Sequence, residues 1–286
     1  MPEVATPASL GSLLEAAAAA LSRSGVREPR REAAVLWGAL AGCSPGAVWM
    51  ERDCPAPLAL GDVFREAVAR RAAGEPAAYA AGRAMFRTLE LAVDRRALIP
   101  RPETEGLVEL VLRWAAGTPG GVVADIGTGT GCIALALAIE GRFERVIATD
   151  CSGEAVALAR ENVARVRPGV PVEVRVGNLL APLAAERCRV IVANPPYLTE
   201  GEWAALDPAV REFEPKPALA SGHDGLAATR ALLGEARAVL EPGGLLALEI
   251  DERRPAAVRA LAHDAGWNHV NIHLDLFGRP RYALAV

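Results

Sequence analysis

From residue 121 onward, short apolar runs alternate with longer stretches of helical composition. The runs fall at residues 122–126, 146–149, 172–176, 190–193 and 245–250, and the stretches between them include 155–166 and 227–240. Near-continuous apolar strands separated by helices predict a parallel sheet covered on both faces. Two further runs, 270–274 and 282–286, are joined by the short turn Phe277-Gly278-Arg279-Pro280. A link that tight predicts an antiparallel pair closing one edge of the sheet.

The first 80 residues carry a different pattern. Residues 9–24, 29–40 and 58–73 have helix-forming composition and run out at Gly25, Gly42 and Gly74, while Pro29 suits a first helical turn. With almost no strand signal, this part reads equally well as a packing or oligomerisation bundle and as a substrate-recognition domain. Residues 86–93 then partly alternate, Asp94-Arg95-Arg96 offers a turn, and residues 97–99 are apolar, which predicts a hairpin. The expected organisation is a helical domain at 1–80, a β-hairpin linker at 81–100 and an α/β domain at 101–286. Two unequal domains suit 286 residues, and a 51% apolar content supports a sizeable core.

Charge and cysteine usage narrow the function class. A net charge of −4 argues against a broad basic face for nucleic acid. The five cysteines are scattered, odd in number and without a C-x-x-C pair, which fits a reduced, cytoplasmic setting and neither a disulfide framework nor a metal site. His269 and His273 are four apart, but their segment reads as strand, so no metal is expected. The apolar run 13–21 contains Glu15, follows Glu3 and lacks a basic leader, so no signal peptide is expected there, and no run approaches membrane-spanning length.

The chemistry concentrates at strand ends. Asn194-Pro195-Pro196-Tyr197 follows the run 190–193, and its two prolines lack N–H groups and stiffen the residues before them. An Asn194 amide oxygen and a Pro195 carbonyl held in this way suit a planar –NH2 group with two donors, and Tyr197 can lie against a flat substrate. Alternatively, the segment is a proline-stiffened strand exit that caps the sheet. Asp125-Ile126-Gly127-Thr128-Gly129-Thr130-Gly131 ends the first run of the α/β domain, and Asp150 ends the next. The loop allows close backbone approach to a ligand, and Asp150 can accept from ribose hydroxyls. Its G-x-G-x-G spacing weakens a dinucleotide reading, and Asp125 suits the ammonium of S-adenosylmethionine better than a pyrophosphate. Asn178, ending the third run, could accept from an adenine amino group with Leu179 packed on the ring, or be an ordinary turn asparagine.

With these residues placed, the chain closely resembles the glutamine N5-methyltransferases that modify bacterial peptide-chain release factors. The resemblance spans nearly the whole sequence. It rests on Ile99-Pro100-Arg101-Pro102-Glu103-Thr104-Glu105, the 125–131 loop, Asp150, Asn194-Pro195-Pro196-Tyr197, residues 207–215, Asp224-Gly225-Leu226 and Leu276-Phe277-Gly278-Arg279. It implies a Rossmann-like, seven-stranded methyltransferase sheet with the last strand antiparallel, S-adenosylmethionine as methyl donor and S-adenosylhomocysteine as product. It also implies that the acceptor is the glutamine of a Gly-Gly-Gln loop in a release factor, met by a monomeric enzyme with Arg101, Glu103 and Pro196 added to the substrate-binding residues. Two positions depart from the family: Asn178 replaces the usual aspartate, and Asp251 stands where glycine is common. The competing functions are methylation of a ribosomal-protein glutamine, methylation of adenine N6 or cytosine N4 in nucleic acid, and a cofactor-binding assembly factor without catalysis.

Overall fold

The computed structural model describes residues 9–286; residues 1–8, including Glu3, lie outside the described residues. The chain folds as two compact units. One comprises the residues up to Ala84 together with Pro208–Phe213, and the other Met85–Asp207 with Glu214–Val286. The segment Pro208–Phe213 thus groups with the helical unit, which no local pattern in the sequence indicates.

The first unit contains α1 (Leu10–Arg23), α2 (Pro29–Ala41), α3 (Pro45–Met50), α4 (Leu58–Ala72) and α5 (Ala77–Ala81). Ser9 caps α1 and Ser44 caps α3 through their hydroxyls, supplying acceptors for N–H groups the helices leave unpaired. Leu14, Leu21, Leu36, Trp37 and Phe64 are buried together, with the Trp37 and Phe64 rings edge to face at 5.2 Å.

A hairpin of β1 (Arg83–Phe86) and β2 (Leu89–Ala92) follows. Its turn is at Arg87-Thr88, which corrects the expected turn at Asp94-Arg95-Arg96 and the expected second arm at 97–99. Arg87 takes a left-handed φ of 53°. Its N–H donates to Glu105 Oε1 at 2.8 Å and its guanidinium reaches Glu140 and Glu109, partners that the local sequence does not reveal. Asp94 instead accepts from the Arg96 N–H, closing a local turn without a following strand.

The rest of the second unit is built on a seven-stranded sheet. Helix α6 (Pro102–Ala115) leads into β3 (Val122–Ile126), α7 (Cys132–Glu140), β4 (Arg145–Asp150), α8 (Gly153–Val166), β5 (Val172–Val176) and β6 (Cys188–Ala193). The short helix α9 (Glu200–Ala204) follows, then α10 (Pro208–Phe213), which groups with the first unit, and after it α11 (Ala227–Glu235), β7 (Leu240–Glu249), α12 (Pro255–Asp264), β8 (Val270–Leu274) and β9 (Pro280–Ala285). The strand order is β5-β4-β3-β6-β7-β9-β8, with β9 antiparallel to both its neighbours. This is the expected fold class.

Alternate residues of each central strand enter opposite layers. Val123, Val190, Val192 and Leu245 pack with Leu107 and Leu135 on one face, while Ala124, Ile191, Leu246 and Leu248 pack with Leu232 and Val258 on the other. Burial on both faces explains the uninterrupted apolar runs. The order reverses between β3 and β6, and crevices at such switch points, outside the carboxyl ends of the strands, are where ligands bind in open α/β sheets.

Candidate active site

Strand register brings the polar strand exits together. Ile126 pairs with Thr149 on one side and with Ala193 on the other. The next residues along the three parallel strands, Gly127, Asp150 and Asn194, therefore leave the sheet side by side. They open onto a cavity of about 490 Å³ whose wall also includes Arg101, Thr128, Gly129, Thr130, Asn178, Leu179 and Pro196. Of the residues singled out from sequence, Asp125, Gly131, Pro195, Tyr197 and Glu103 lie outside that wall. Thr104, Ile99 and Pro215 line it and were not singled out as site residues.

The glycine loop turns through left-handed conformations at Gly127, Gly129 and Gly131, with φ of 71°, 55° and 82°. Side chains rarely adopt these values, which explains the glycine spacing. The loop holds Asp150 from one side, Gly129 N–H donating to Oδ2 at 2.9 Å, while Ser152 N–H donates to Oδ1 at 2.9 Å. The carboxylate is fixed in orientation and keeps lone pairs for the hydroxyls of a ligand. Leu179 is held at a φ of 47°, uncommon for a side chain of its size, and Thr149 Oγ1 donates to its carbonyl at 3.4 Å.

Asp125 sits behind this loop and is fully buried. Its Oδ2 accepts from Thr128 Oγ1 at 2.6 Å and from the Ala134 N–H at 3.1 Å. Its Oδ1 has no hydrogen-bond partner among the described residues. Burial pushes the carboxyl up to about 7, against the hydrogen bonds from Thr128 and Ala134 and with a smaller push from Asp150. A carboxylate drawn inward in this way can favour a ligand cation through its charge, without direct contact.

At the far side, Asn194 Nδ2 donates to Thr104 Oγ1 at 3.0 Å, and Thr104 Oγ1 donates to Glu249 Oε2 at 2.7 Å. Among the described residues nothing donates to Asn194 Oδ1 or to the Pro195 carbonyl. Tyr197 is anchored through its backbone, its N–H donating to the Leu219 carbonyl at 3.2 Å, and burial pushes its phenol up to about 12. Asp251 has a physical role here. It is buried, accepts from the Arg253 N–H and guanidinium and pairs with Arg254, whose guanidinium donates to the Tyr197 carbonyl at 3.4 Å.

The donor set fits S-adenosylmethionine. A mostly apolar cavity offers a tethered carboxylate and an asparagine just past β5, which suit a ribose and an adenine, and the buried acid Asp125 behind its wall suits a cationic tail through its charge. Among the described residues no cluster of histidine, cysteine, aspartate or glutamate could hold a metal ion, and no helix is long and apolar enough to cross a membrane.

Comparison with known proteins agrees with the geometry. Residues 12–82 match the PrmC N-terminal domain, and residues 107–212 match the methyltransferase small domain. A release factor glutamine methyltransferase from Cereibacter sphaeroides is 40% identical over 272 residues, covering 95% of this chain and 96% of that protein. One from Deinococcus radiodurans is 39% identical over 277 residues, covering 96% and 98%. In fold, a Pyrococcus furiosus methyltransferase superposes with a TM-score of 0.53 at 22% identity, over 70% of this chain and 89% of that one. The chain belongs to the release factor glutamine methyltransferase family, S-adenosylmethionine-dependent enzymes built on the class I methyltransferase sheet.

Proposed function

We propose that this enzyme methylates the side-chain nitrogen, N5, of the glutamine in the Gly-Gly-Gln loop of a peptide-chain release factor. The observation that carries the reading is the commitment of Asn194. Its NH2 end is taken by Thr104, and among the described residues nothing donates to its Oδ1 or to the neighbouring Pro195 carbonyl. Two unengaged acceptors beside the cofactor cavity match the two N–H donors of a carboxamide.

A carboxamide nitrogen is a poor nucleophile because its lone pair is delocalised into the carbonyl, so positioning has to supply most of the rate. S-adenosylmethionine, when bound, supplies an electrophilic methyl group on a sulfonium. Asn194 Oδ1 and the Pro195 carbonyl hold the substrate nitrogen and stabilise positive charge as it develops there. Tyr197 packs against the amide plane, and Arg101, Glu103 and Pro196 border the bound loop. Asp150 holds the ribose, Asn178 and Leu179 hold the adenine, and residues 125–131 shape the floor. Among the described residues no histidine lines the cavity, and the proton leaves to water after transfer. The helical unit recognises the body of the release factor, and the enzyme acts as a monomer without contacting nucleic acid directly.

The test is incubation of the protein with S-adenosylmethionine and a purified release factor, followed by mass spectrometry of tryptic peptides. A methyl gain on the tripeptide's glutamine is expected, and Asn194→Ala should bind cofactor yet lose most turnover. Absence of any gain under conditions where cofactor binding is measured would overturn the assignment. Transfer to ribosomal protein, RNA or DNA in parallel reactions would redirect it.

A further inference from the structure

Register sets Asn194 beside Glu249. Ala193 of β6 pairs with Leu248 of β7, so the next residues along the two parallel strands are Asn194 and Glu249. Thr104, in the first turn of α6, stands between their side chains, donating to Glu249 Oε2 and accepting from Asn194 Nδ2. Thr104 and Glu249 are 2% and 1% exposed, so water does not compete for these bonds.

The direction of the chain of bonds follows from counting protons. A threonine hydroxyl has one proton and two lone pairs, and an ionised carboxylate can only accept. Glu249 therefore takes the hydroxyl proton, and Thr104 faces Asn194 with a lone pair. Only the NH2 end of Asn194 can meet it. The reverse rotamer would set two acceptors against each other and present N–H donors to the substrate's own –NH2.

We propose that Glu249, acting through Thr104, is a positioning residue that fixes the orientation of the Asn194 carboxamide and thereby makes the site an acceptor for an –NH2 group. The proposal rests on the glutamine-methylation reading above and adds the group that sets its polarity. A neutral Glu249 carboxyl can donate to Thr104, whose own proton is then free to turn toward Asn194 Oδ1. Nothing then opposes reversal of the amide.

Several groups face Glu249. Arg281 on β9 and Arg101 ahead of α6 favour its charge, and Glu103 opposes it. The phenols of Tyr197 and Tyr282 and the Cys132 thiol also feel it, all three being neutral at physiological pH. Burial outweighs the arginines and pushes Glu249 up to about 7, so the change of polarity falls within an assayable range.

The experiment is kcat for release-factor methylation from pH 5.5 to 9, with calorimetric S-adenosylmethionine binding on the same samples. Wild type should lose kcat on the acid side, with a midpoint near 7. Glu249→Gln, whose amide can turn either end to Thr104, should lower kcat about tenfold or more and abolish that limb, with cofactor affinity within about twofold of wild type. Thr104→Ser should keep the wild-type profile, and Thr104→Val should reproduce the loss. Wild-type kcat and an unchanged acid limb in Glu249→Gln, or equal kcat in the two Thr104 variants, would overturn the proposal. Should Glu249→Gln not fold, the Thr104 pair decides alone. A wild-type protein that binds cofactor but methylates no release factor would refute the functional reading itself, a failure distinct from any in the variants.

Discussion

Arg101 donates through Nη2 to Glu214 Oε1 at 2.5 Å, and the Ile99 N–H donates to the other oxygen at 3.2 Å. One buried carboxylate thus ties the segment ahead of α6 to the segment after α10. Both segments border the cofactor cavity, through Ile99, Pro100 and Arg101 on one side and Pro215 and Pro217 on the other. The tie therefore holds two walls of the site together.

Removing the carboxylate should be felt in both stability and binding. Glu214→Ala leaves a guanidinium without its partner and a backbone N–H unsatisfied, a loss of about 3 kcal/mol. S-adenosylmethionine affinity should fall about tenfold as the walls separate. Glu214→Gln, which still accepts from Ile99, should lose less of each. Urea denaturation and calorimetry measure the two quantities, and an unchanged Kd in Glu214→Ala would show that the tie is only structural.

The relation of Glu214 to Arg101 illustrates what the sequence made legible. Both residues lie in motifs visible along the chain, but their pairing appears only once the chain has folded. The central strands were legible because burial on both faces leaves runs such as Val190-Ile191-Val192-Ala193 without polar interruption. Gly127, Asp150 and Asn194 were legible because each ends such a run. Asn162 left no signal. It reads as one more polar position on α8, yet it is fully buried, accepts from the Ala92 N–H, and donates to the carbonyls of Ala92 and Thr130. The turn at Arg87 and the Asn194–Thr104–Glu249 chain were hidden for the same reason: their partners come from other elements. Sequence periodicity reports which face is buried, not which polar groups meet there.

Asn178 borders the cavity. Among the described residues its side chain makes no hydrogen bond, while its carbonyl accepts from the Ala181 N–H at 3.1 Å and fixes the turn. Asparagine supplies a neutral acceptor where aspartate would supply a charged and stronger one. Asn178→Asp should tighten S-adenosylmethionine binding about threefold to tenfold, and Asn178→Ala should weaken it about tenfold. Calorimetry on the two variants checks this. If Asn178→Ala binds like wild type, the adenine is not held here.

The buried acids give the protein a stability that falls as pH rises. Asp125 is pushed from 3.8 up to about 7 and Glu249 from 4.5 up to about 7, both chiefly by burial. The folded state therefore binds more protons than the unfolded chain between about pH 4 and 7, and stability declines across that window. Carboxylates held low by arginines, such as Glu173 and Glu186 beside Arg145 and Arg175, act in the opposite sense, but only below about 4.5. From pH 5.5 to 8 the acids with raised values dominate. For Asp125 alone, the loss should be on the order of 2 kcal/mol. Urea midpoints of cofactor-free protein should drop from pH 5.5 to 8. Asp125→Asn, which cannot ionise and still accepts from Thr128, should flatten part of that slope. A midpoint that is level or rises with pH in wild type would mean that Asp125 and Glu249 ionise in the fold as readily as in water.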